Sequence, residues 1–337
     1  MKPDLAHPKL GPPRRTKKPV GLDALSKQII TLQNKLDLVE RQNRMILHRL
    51  TLPPEAAWRN QPQLLPDVAP LGIVFDHSVM CRQDSFLEPY FSFWVRELKE
   101  GLRYHRKLWE FVFICQVLQE RDMLREGREG LGFGVGIERL SAYFASRGCR
   151  ILGTDMDTEG AIAAGWSDTA QHARGKQALS QPAICDPEVF ERLVDFRTVD
   201  MNAVPADLID FDFCWSACAL EHLGSIDLGL AFIERSLETL KPGGIAVHTT
   251  EFNVSSNDET LADGGTVLFR RRDMEALTRR LEAKGHAVVP FDFDPGYDPV
   301  DRYIDVAPYM EAPHLKLESA GYVTTSIGII VRRGNAT

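Results

Sequence analysis

The stretch GLGFGVG, at residues 130–136, governs how the rest of this chain is interpreted. It follows a short apolar run that ends at residues 131–132, and it precedes a helical pattern over residues 137–147. A glycine-rich turn between a strand and a helix lets the backbone approach a nucleotide-like ligand, with the amide groups of the helix start facing that ligand. The next apolar run, ILGTD at residues 151–155, ends in Asp155, nineteen residues after Gly136. A carboxylate at a strand tip can accept hydrogen bonds from both ribose hydroxyls, so we predict that Asp155 binds a ribose.

A second acid follows the next predicted strand. Asp200 lies in VDMN at residues 199–202, where its carboxylate can bind an adenine amino group while Met201 packs on the ring. Each acid taken alone is typical of a solvated loop. A glycine turn and two acids at three successive strand tips instead favour a nucleotide site.

The remaining pattern alternates strand-like and helical runs. Further strands are predicted over residues 150–154, 196–199, 211–215 and 245–250, and a final pair over residues 286–293 and 322–332. Helices are predicted over residues 228–240 and 272–284, the first of them stopped by KPGG at residues 241–244. Strands separated by helices indicate a parallel sheet with right-handed crossovers.

With two further segments, these motifs resemble the class I S-adenosylmethionine-dependent methyltransferases. The matching segments are GLGFGVG at 130–136, ILGTD at 151–155, VDM at 199–201, FDFCWSACALEHL at 211–223 and LKPGG at 240–244. The resemblance implies an α/β, Rossmann-like sheet of seven strands, with the last strand antiparallel and beside the fifth. It also implies that S-adenosylmethionine lies across the strand tips and contacts Gly132, Phe133, Gly134, Gly136, Asp155, Met156, Asp200, Met201, Asn202 and Ser216.

One position departs from the family pattern. Members of the family usually carry an acid two residues before the first of three spaced glycines, and here that position is Gly130. Glu129 and Glu138 lie close by in the sequence, and either carboxylate is a candidate to bind the ammonium group of the cofactor instead.

Two pairs of residues are candidates for the chemistry. Methyl transfer to a hydroxyl requires alignment of the acceptor and removal of a proton. His222 follows the fourth predicted strand at the carboxyl edge of the sheet, and an imidazole, with an ordinary pKa of about 6.5, suits a general base that Glu221 would orient. A histidine that only packs near the cofactor is the alternative. His248 and Glu251 form the second pair, although strand alternation places them on opposite faces.

Three stretches are candidate covers for the site. Residues 104–110 and 165–172 mix aromatic and hydrogen-bonding side chains, with core packing of the aromatics as the alternative. Residues 294–320 form a stretch that is long for a hairpin loop, and long loops are often lids. Acids in and beside this stretch could bind a divalent metal or form a solvated loop, which leaves the metal requirement open. These acids are Asp292, Asp294, Asp298 and Asp301.

An apolar heptad repeat precedes the α/β pattern. Its a positions are Leu22, Ile29, Leu36, Asn43 and Leu50, and its d positions are Leu25, Leu32, Val39 and Ile46. We predict a coiled coil that mediates self-association, because such a stripe needs a partner helix. Asparagine at an a position favours a parallel dimer, whereas Val and Ile at d leave a trimer open. A helix that packs on its own domain is the alternative.

Charge is distributed unevenly along the chain. The net charge is −7, and residues 1–20 carry a local charge of +5, which leaves about −12 for the rest. An acidic body argues against nucleic acid as the main partner, because phosphate contacts need clustered basic side chains. The basic, proline-rich arm is predicted to be disordered, and contact with an anionic membrane surface or RNA is the alternative.

Composition sets the class of protein and its organisation. Apolar residues make up 44% and charged residues 26% of the chain, which is typical of globular proteins and excludes collagen-like or wholly disordered chains. No apolar run reaches the roughly 18 residues of a membrane helix, and no signal peptide is recognisable. Six scattered cysteines without a CxxC pair predict reduced thiols and a cytoplasmic location. We predict a disordered arm over 1–20, a coiled-coil helix over 21–52, a linker over 53–85 and a methyltransferase domain with N-terminal lid helices over 86–337.

Three functions are consistent with these features. The first is an O-methyltransferase that acts on a hydroxyl of a glycan or sugar-derived metabolite. It is motivated by the polar candidate lids and by a similarity to bacterial methyltransferases associated with surface-polysaccharide assembly. The second is methylation of another small molecule or of a protein. The third is a methyltransferase-like scaffold that has lost catalysis.

Overall fold

The structure is a computed structural model that describes residues 26–33, 35–36, 39, 61–66, 72, 74–156, 173 and 175–335. The chain divides into two units, Met1–His48 and Arg49–Thr337. The predicted basic arm at residues 1–20 and the candidate cover at residues 165–172 lie outside the described residues.

In the first unit, residues 26–33 and 35–36 are helical. Three of the predicted heptad positions, Ile29, Leu32 and Leu36, are 49%, 65% and 58% exposed. The helix is therefore confirmed for these residues, and its apolar stripe faces outward. The coiled coil itself stays a prediction.

The second unit alternates helices and strands. Its described α-helices are α1 (Pro89–Glu97), α2 (Arg106–Glu120), α3 (Leu140–Ser146), α4 (Pro187–Leu193), α5 (Ile226–Glu238) and α6 (Arg271–Ala283). Its described strands are β1 (Ser78–Val79), β2 (Glu129–Phe133), β3 (Arg150–Asp155), β4 (Val194–Thr198), β5 (Phe211–Ala217), β6 (Leu240–Asn253), β7 (Ala287–Val288), β8 (Phe291–Asp292), β9 (Ile304–Asp305), β10 (Lys316–Ser319) and β11 (Tyr322–Arg332).

Within the described part of the chain, nine strands form one mixed sheet in the order β4-β3-β2-β5-β6-β11-β10-β9, with β7 also paired to β11. The five strands from β4 to β6 are parallel, and β11 is antiparallel to β6. The predicted Rossmann-like architecture is confirmed, including the antiparallel last strand beside the fifth. The predicted number of seven strands is wrong, because two further short strands, β9 and β10, lie beyond β11.

Helices cover both faces of this sheet, which is why its central strands are apolar throughout rather than alternating. On β5, Phe213 and Trp215 pack into the core beneath α2 and α3, whereas Cys214 packs into the core beneath α5 and α6. The carboxyl ends of β2, β3 and β5 remain uncovered by these two layers, and the cavity described below lies there.

Three boundaries differ from the predictions. Residues 74–85 belong to the core of the second unit, where Phe75 is 5% exposed and Met80 is 1% exposed, so the predicted linker extends too far along the chain. Helix α5 ends at Glu238, before the predicted stop, and residues 241–244 lie within β6, which begins at Leu240. Residues 294–320 contain β9 and β10, together with the buried Val300, and are not a simple lid.

In the described part of the chain, we find no helix with the length and apolar character needed to cross a membrane.

Candidate active site

A cavity of about 500 Å³ opens at the carboxyl ends of the central strands. Its walls consist of the residues that directly follow β2, β3, β4 and β5, together with side chains from α2 and from the turn before α3. Open α/β sheets bind their ligands at this edge. Seven of the predicted cofactor residues line the cavity: Gly134, Gly136, Asp155, Met156, Asp200, Met201 and Asn202.

The glycine loop is shaped by conformation and by close packing. Gly134 and Gly136 have backbone φ angles of +58° and +50°, which residues other than glycine rarely adopt. A Cβ atom on Gly134 would also lie 2.8 Å from the Cβ of Ala219 and 3.3 Å from the sulfur of Met201. Glycine at this position therefore keeps the loop against the tip of β5 and leaves the cavity open.

Two predicted cofactor residues lie behind the loop instead of lining the cavity. A Cβ atom on Gly132 would lie 2.5 Å from the Trp215 ring, so this glycine serves packing within the sheet. Phe133 is fully buried, and its ring packs edge-on against Phe232 at a centroid distance of 5.1 Å. The structure therefore places neither residue at the cavity wall.

Asp155 joins three backbone segments at the cavity. Its carboxylate accepts hydrogen bonds from the backbone N–H of Gly136 at 3.0 Å, Met156 at 2.9 Å and Ala173 at 3.1 Å. The residue is 8% exposed and lines the cavity. Asp155 thus holds the glycine loop in place in addition to its predicted contact with ribose.

The loop after β4 supplies the other predicted adenosine ligands. The Asp200 carboxylate accepts from the Asn202 N–H at 2.8 Å, which caps the short 3-10 helix Met201–Ala203. The amide nitrogen of Asn202 donates to the carbonyl of Leu223 at 3.3 Å, while its amide oxygen is buried with no hydrogen-bond donor among the described residues. A buried acceptor beside the cavity suits a ligand that carries an amino group.

The structure explains why Gly130 lacks the acid that the family usually has. A Cβ atom there would lie 2.4 Å from the Phe213 ring, so no side chain fits. Of the two alternative acids, Glu129 lies at the start of β2 and contacts Lys241 at 3.7 Å, away from the cavity. Glu138 lines the cavity, is 9% exposed and accepts a hydrogen bond from the Trp215 indole at 2.7 Å.

His222 reaches the cavity from the short helix Leu220–His222. Its Nδ1 lies 2.8 Å from the carbonyl oxygen of Gly265 and 3.2 Å from the hydroxyl of Thr266. A carbonyl can only accept, so Nδ1 donates in this contact, and Nε2 is the ring nitrogen that can take up a proton. The contact therefore sets the tautomer that a general base requires.

Residues 263–266, DGGT, clamp the segment that carries His222. Beside the contact to Nδ1, Gly264 donates to the Gly224 carbonyl at 3.0 Å, and Val267 donates to the Glu221 carbonyl at 2.9 Å. Our sequence reasoning missed this clamp. The adjacent glycines at 264–265 were the available signal, since paired glycines mark a turn with a specific backbone role.

Glu221 stands beside His222 but behind the cavity wall. It is 1% exposed, and its Oε1 lies 3.8 Å from Nε2 of His222. Its other oxygen accepts from the Thr250 hydroxyl at 3.0 Å. Burial raises the pKa of Glu221, and the nearby Glu251 raises it further, although His222 acts in the opposite direction. Glu221 is thus placed to stabilise a protonated imidazole.

The second predicted catalytic pair and one cofactor residue lie elsewhere. His248 is fully buried between the hydroxyls of Ser216 and Ser236, at 2.8 and 3.0 Å, and burial lowers its pKa to about 3. The structure therefore places neither His248 nor Ser216 at the cavity wall, where a catalytic base or a cofactor ligand would be expected. Glu251 lies on the opposite face, where it is paired with Arg106 and accepts from Thr324 at 2.7 Å.

A buried ion network underlies the wall formed by α2. Glu110 is fully buried and lies 3.5 Å from Arg106 and 3.2 Å from Lys107. It also accepts from the thiol of Cys218 at 2.9 Å. Lys107 and Cys218 both line the cavity, so the network links α2 to the tip of β5. Sequence reasoning placed a cover at residues 104–110 but did not single out these ions.

The acids proposed as metal ligands have other roles or stay exposed. Asp292 and Asp294 contact Arg82 at 3.2 and 3.4 Å, and Asp301 is buried beside Lys316 at 3.4 Å. Asp298 is exposed. Among the residues that the structure covers, no group of three or more His, Cys, Asp or Glu side chains could hold a metal ion.

A mostly parallel α/β sheet with a glycine loop and two carboxylates at its strand tips defines a nucleotide-cofactor protein of the Rossmann-like class. Residues 131–248 match the family model described as a methyltransferase domain. The chain is therefore a methyltransferase, and S-adenosylmethionine is its cofactor.

Solved structures similar to this chain include an S-adenosylmethionine-dependent methyltransferase from Mesorhizobium loti, at 15% identity and a TM-score of 0.39, covering 64% of this chain and 96% of that one. The [4+2]-cyclase SpnF is similar at 20% identity and a TM-score of 0.40, covering 66% and 81%. A TehB-like methyltransferase from Corynebacterium glutamicum is similar at 15% identity and a TM-score of 0.36, covering 72% and 96%. No curated protein matches. Since all three TM-scores lie below 0.5, the site itself must carry the functional inference.

The cavity residues fit this cofactor. Asp155 and the amide oxygen of Asn202, which has no donor in the described part of the chain, offer acceptors to the hydroxyl and amino groups of an adenosine. Met201, 8% exposed at the wall, offers an apolar surface to a purine ring. The glycine at 134 keeps open the space between these groups and the tip of β5.

Proposed function

We propose that this chain methylates a hydroxyl group of a glycan or sugar-derived small molecule, with His222 as the general base. The observation that carries the proposal is the contact of His222 Nδ1 with the Gly265 carbonyl, which leaves Nε2 as a proton acceptor at the cavity. A hydroxyl acceptor needs such a base, because its proton must leave as the new bond to carbon forms.

When bound, S-adenosylmethionine supplies an electrophilic methyl group on a sulfonium. Asp155 would hold its ribose, while Asp200, Met201 and Asn202 would hold its adenine. His222 accepts the hydroxyl proton at Nε2, and the resulting imidazolium is stabilised by Glu221 at 3.8 Å. Glu221 is therefore a positioning residue in this proposal, since it lies behind the wall.

A paired acceptor panel tests the proposal. Transfer of a radiolabelled methyl group is measured to a set of free and nucleotide-linked sugars, each paired with the amino sugar that replaces one hydroxyl. We expect transfer to a hydroxyl sugar and its loss when the reacting hydroxyl is removed. Transfer only to amines, or only to acceptors without sugar, would assign the enzyme to another acceptor class.

Replacement of Asp155 with alanine should weaken binding of S-adenosylmethionine by about tenfold or more. Charge-assisted hydrogen bonds to a carboxylate contribute roughly 1.5–3 kcal/mol, and here the carboxylate also holds the Gly136 amide. Titration calorimetry measures the affinity. Asp195→Ala, at an exposed position on the neighbouring strand β4, is the control. An unchanged affinity for the Asp155 variant would show that the ribose is bound elsewhere.

We further propose that two or more copies associate through residues 22–50, most simply as a parallel dimer. The exposed apolar positions Ile29, Leu32 and Leu36 support this, because burial of apolar surface at roughly 25 cal/mol per Å² favours association. Deletion of residues 1–52 should yield a monomer, as measured by sedimentation, and this monomer should still bind S-adenosylmethionine. Asn43→Leu should raise thermal stability but mix oligomeric states. A monomeric full-length chain at micromolar concentration would exclude the coiled coil.

A cytoplasmic location and a small-molecule acceptor complete the proposal. All six cysteines are free, which suits a reducing compartment. The net charge of −7 disfavours nucleic acid as the acceptor. A contact between the basic arm and an anionic membrane surface remains compatible with this function.

A further inference from the structure

Glu138 is a buried acid with fewer hydrogen-bonding partners among the described residues than a buried carboxylate normally has. It lies two residues after Gly136, is 9% exposed and lines the cavity. Among the described residues, Trp215 alone donates a hydrogen bond to it, at 2.7 Å. A buried carboxylate normally has charged or multiple hydrogen-bonding partners, because removal of its charge from water is costly.

Lys107 faces the same part of the cavity from α2. Its ammonium donates to the carbonyl of Ala217 at 2.7 Å and lies 3.2 Å from Glu110. Burial opposes its charge, but Glu110, together with Cys218, Glu138 and Glu221, outweighs this effect and raises the pKa of Lys107. The lysine therefore stays protonated and keeps one further N–H for a ligand, since an ammonium carries three donors.

Both side chains are anchored on β5, on one side of the glycine loop. Glu138 is bonded to Trp215 and Lys107 to Ala217, both of which belong to β5. Asp155 and Asp200 lie on the other side, at the tips of β3 and β4 in the sheet order β4-β3-β2-β5. The adenosine end of a ligand that spans the glycine loop would thus lie over β3 and β4, and its opposite end over β5.

We propose that Glu138 and Lys107 bind the two charges of the α-amino-acid end of the cofactor, Glu138 its ammonium group and Lys107 its carboxylate. This inference rests on the proposed function, because it takes S-adenosylmethionine as the ligand. A buried acid and a basic side chain within one cavity complement the two charges of a zwitterion, whereas either side chain alone would complement only one of them. An acid at position 130 could not take this role, because the Phe213 ring fills the space at Gly130.

Proton release on binding follows from this arrangement. Burial raises the pKa of Glu138 to about 8, and Asp155 and Glu110 also raise it, against the opposing effects of the Trp215 hydrogen bond and Lys107. The carboxyl also faces the thiol of Cys115 on α2. At pH 6.5 Glu138 is therefore mostly protonated before binding and must lose its proton to pair with an ammonium group. By linkage, affinity should rise by close to tenfold per pH unit between pH 6 and 7.

Affinities for ligands that lack one or both charges distinguish loss of these contacts from a general effect of the substitutions on folding. S-adenosylhomocysteine carries both charges, decarboxylated S-adenosylmethionine carries the ammonium group without the carboxylate, and 5′-methylthioadenosine carries neither. Glu138→Gln should weaken binding of S-adenosylhomocysteine by about tenfold or more at pH 7.5 but change that of 5′-methylthioadenosine by less than twofold. Lys107→Met should weaken binding of S-adenosylmethionine to a similar extent and leave that of the decarboxylated cofactor nearly unchanged.

Titration calorimetry at pH 6.5, in two buffers of different ionisation enthalpy, counts the protons. The wild-type protein should release close to one proton with S-adenosylhomocysteine and none with 5′-methylthioadenosine, and Glu138→Gln should abolish the release. Glu97→Gln removes a carboxylate that does not line the cavity and is the control.

Two results would overturn the inference. Equal losses of affinity for S-adenosylhomocysteine and 5′-methylthioadenosine would show that Glu138 acts through the fold. Unchanged affinity for both would show that the ammonium group binds elsewhere. Failure of the proposed function would give a different result. The Glu138 and Lys107 variants would still show the expected differences in ligand affinity, but no hydroxyl acceptor would be methylated.

Discussion

Replacement of His222 with alanine is expected to lower the turnover number by about 10²–10⁴-fold, while the affinity for S-adenosylhomocysteine stays nearly unchanged. The magnitude is that of a lost general base. The affinity should be preserved because the proposed adenosine ligands lie on other loops, after β3 and β4. Steady-state turnover and titration calorimetry on the same preparation measure the two quantities.

A second variant distinguishes a base from a structural histidine. Asparagine at position 222 can still donate to the Gly265 carbonyl, which now accepts from Nδ1 at 2.8 Å, but it cannot take a proton. We expect His222→Asn to be as inactive as His222→Ala. Recovery of turnover by asparagine would mean that His222 only holds the 263–266 clamp, and the base would have to be sought among the other residues that line the cavity.

Replacement of Glu110 with alanine is expected to destabilise the protein by about 3–5 kcal/mol, the usual result of removing one partner from a buried ion pair. Arg106 and Lys107 would be left without their shared carboxylate, and the hydroxyl of Ser326 and the thiol of Cys218 would lose an acceptor. Urea unfolding of the cofactor-free protein, followed by circular dichroism, measures the change.

The loss of unfolding free energy in the Glu110 variants is expected to depend on pH. Burial opposes ionisation of Glu110, but Lys107 and Arg106, together with hydrogen bonds from Cys218 and Ser326, outweigh burial and lower its pKa below the ordinary value of 4.5. A carboxyl group whose pKa falls on folding stabilises the protein above its unfolded pKa, and the contribution is lost as the pH falls through the folded pKa. The difference between wild type and Glu110→Gln should therefore be largest at neutral pH and shrink below about pH 4.5.

An exposed acid provides the control for this series. Glu282→Gln, on the solvent side of α6, should change the free energy of unfolding by less than about 0.5 kcal/mol. If Glu110→Gln were as mild as this control at every pH, the ion network would contribute no net stability.

Local motifs account for the parts of the fold and site that the sequence predicted. The glycine loop and Asp155 are both set by their immediate neighbours, a strand before and a helix or loop after. The order of the central strands follows from right-handed crossovers, which leave few arrangements. The edge beyond β11 could not be predicted in the same way, because β9 and β10 are short strands that pair across long stretches of chain.

The predicted site residues that the structure places away from the cavity share one physical cause. Glu129 and Glu138, or His222 and His248, look alike in a sequence, and the choice between them depends on which side chain reaches the cavity. His248 lies in β6 with its ring held between two serine hydroxyls, a contact between residues far apart in the chain. Gly265 orients His222 through a carbonyl group, which no side-chain pattern can reveal.

The contact between Gly130 and Phe213 makes these two positions epistatic. With the phenyl ring 2.4 Å from where a Cβ would lie, an aspartate at 130 cannot be accepted while Phe213 is present, whatever it could offer the cofactor. A smaller residue at 213 alone would open a cavity in the core beneath α3, where Phe144 packs edge-on against Phe213 at 5.6 Å. An acid at position 130 would therefore require a second, simultaneous substitution at position 213, and with Phe213 in place an acid for the cofactor has to lie at another position.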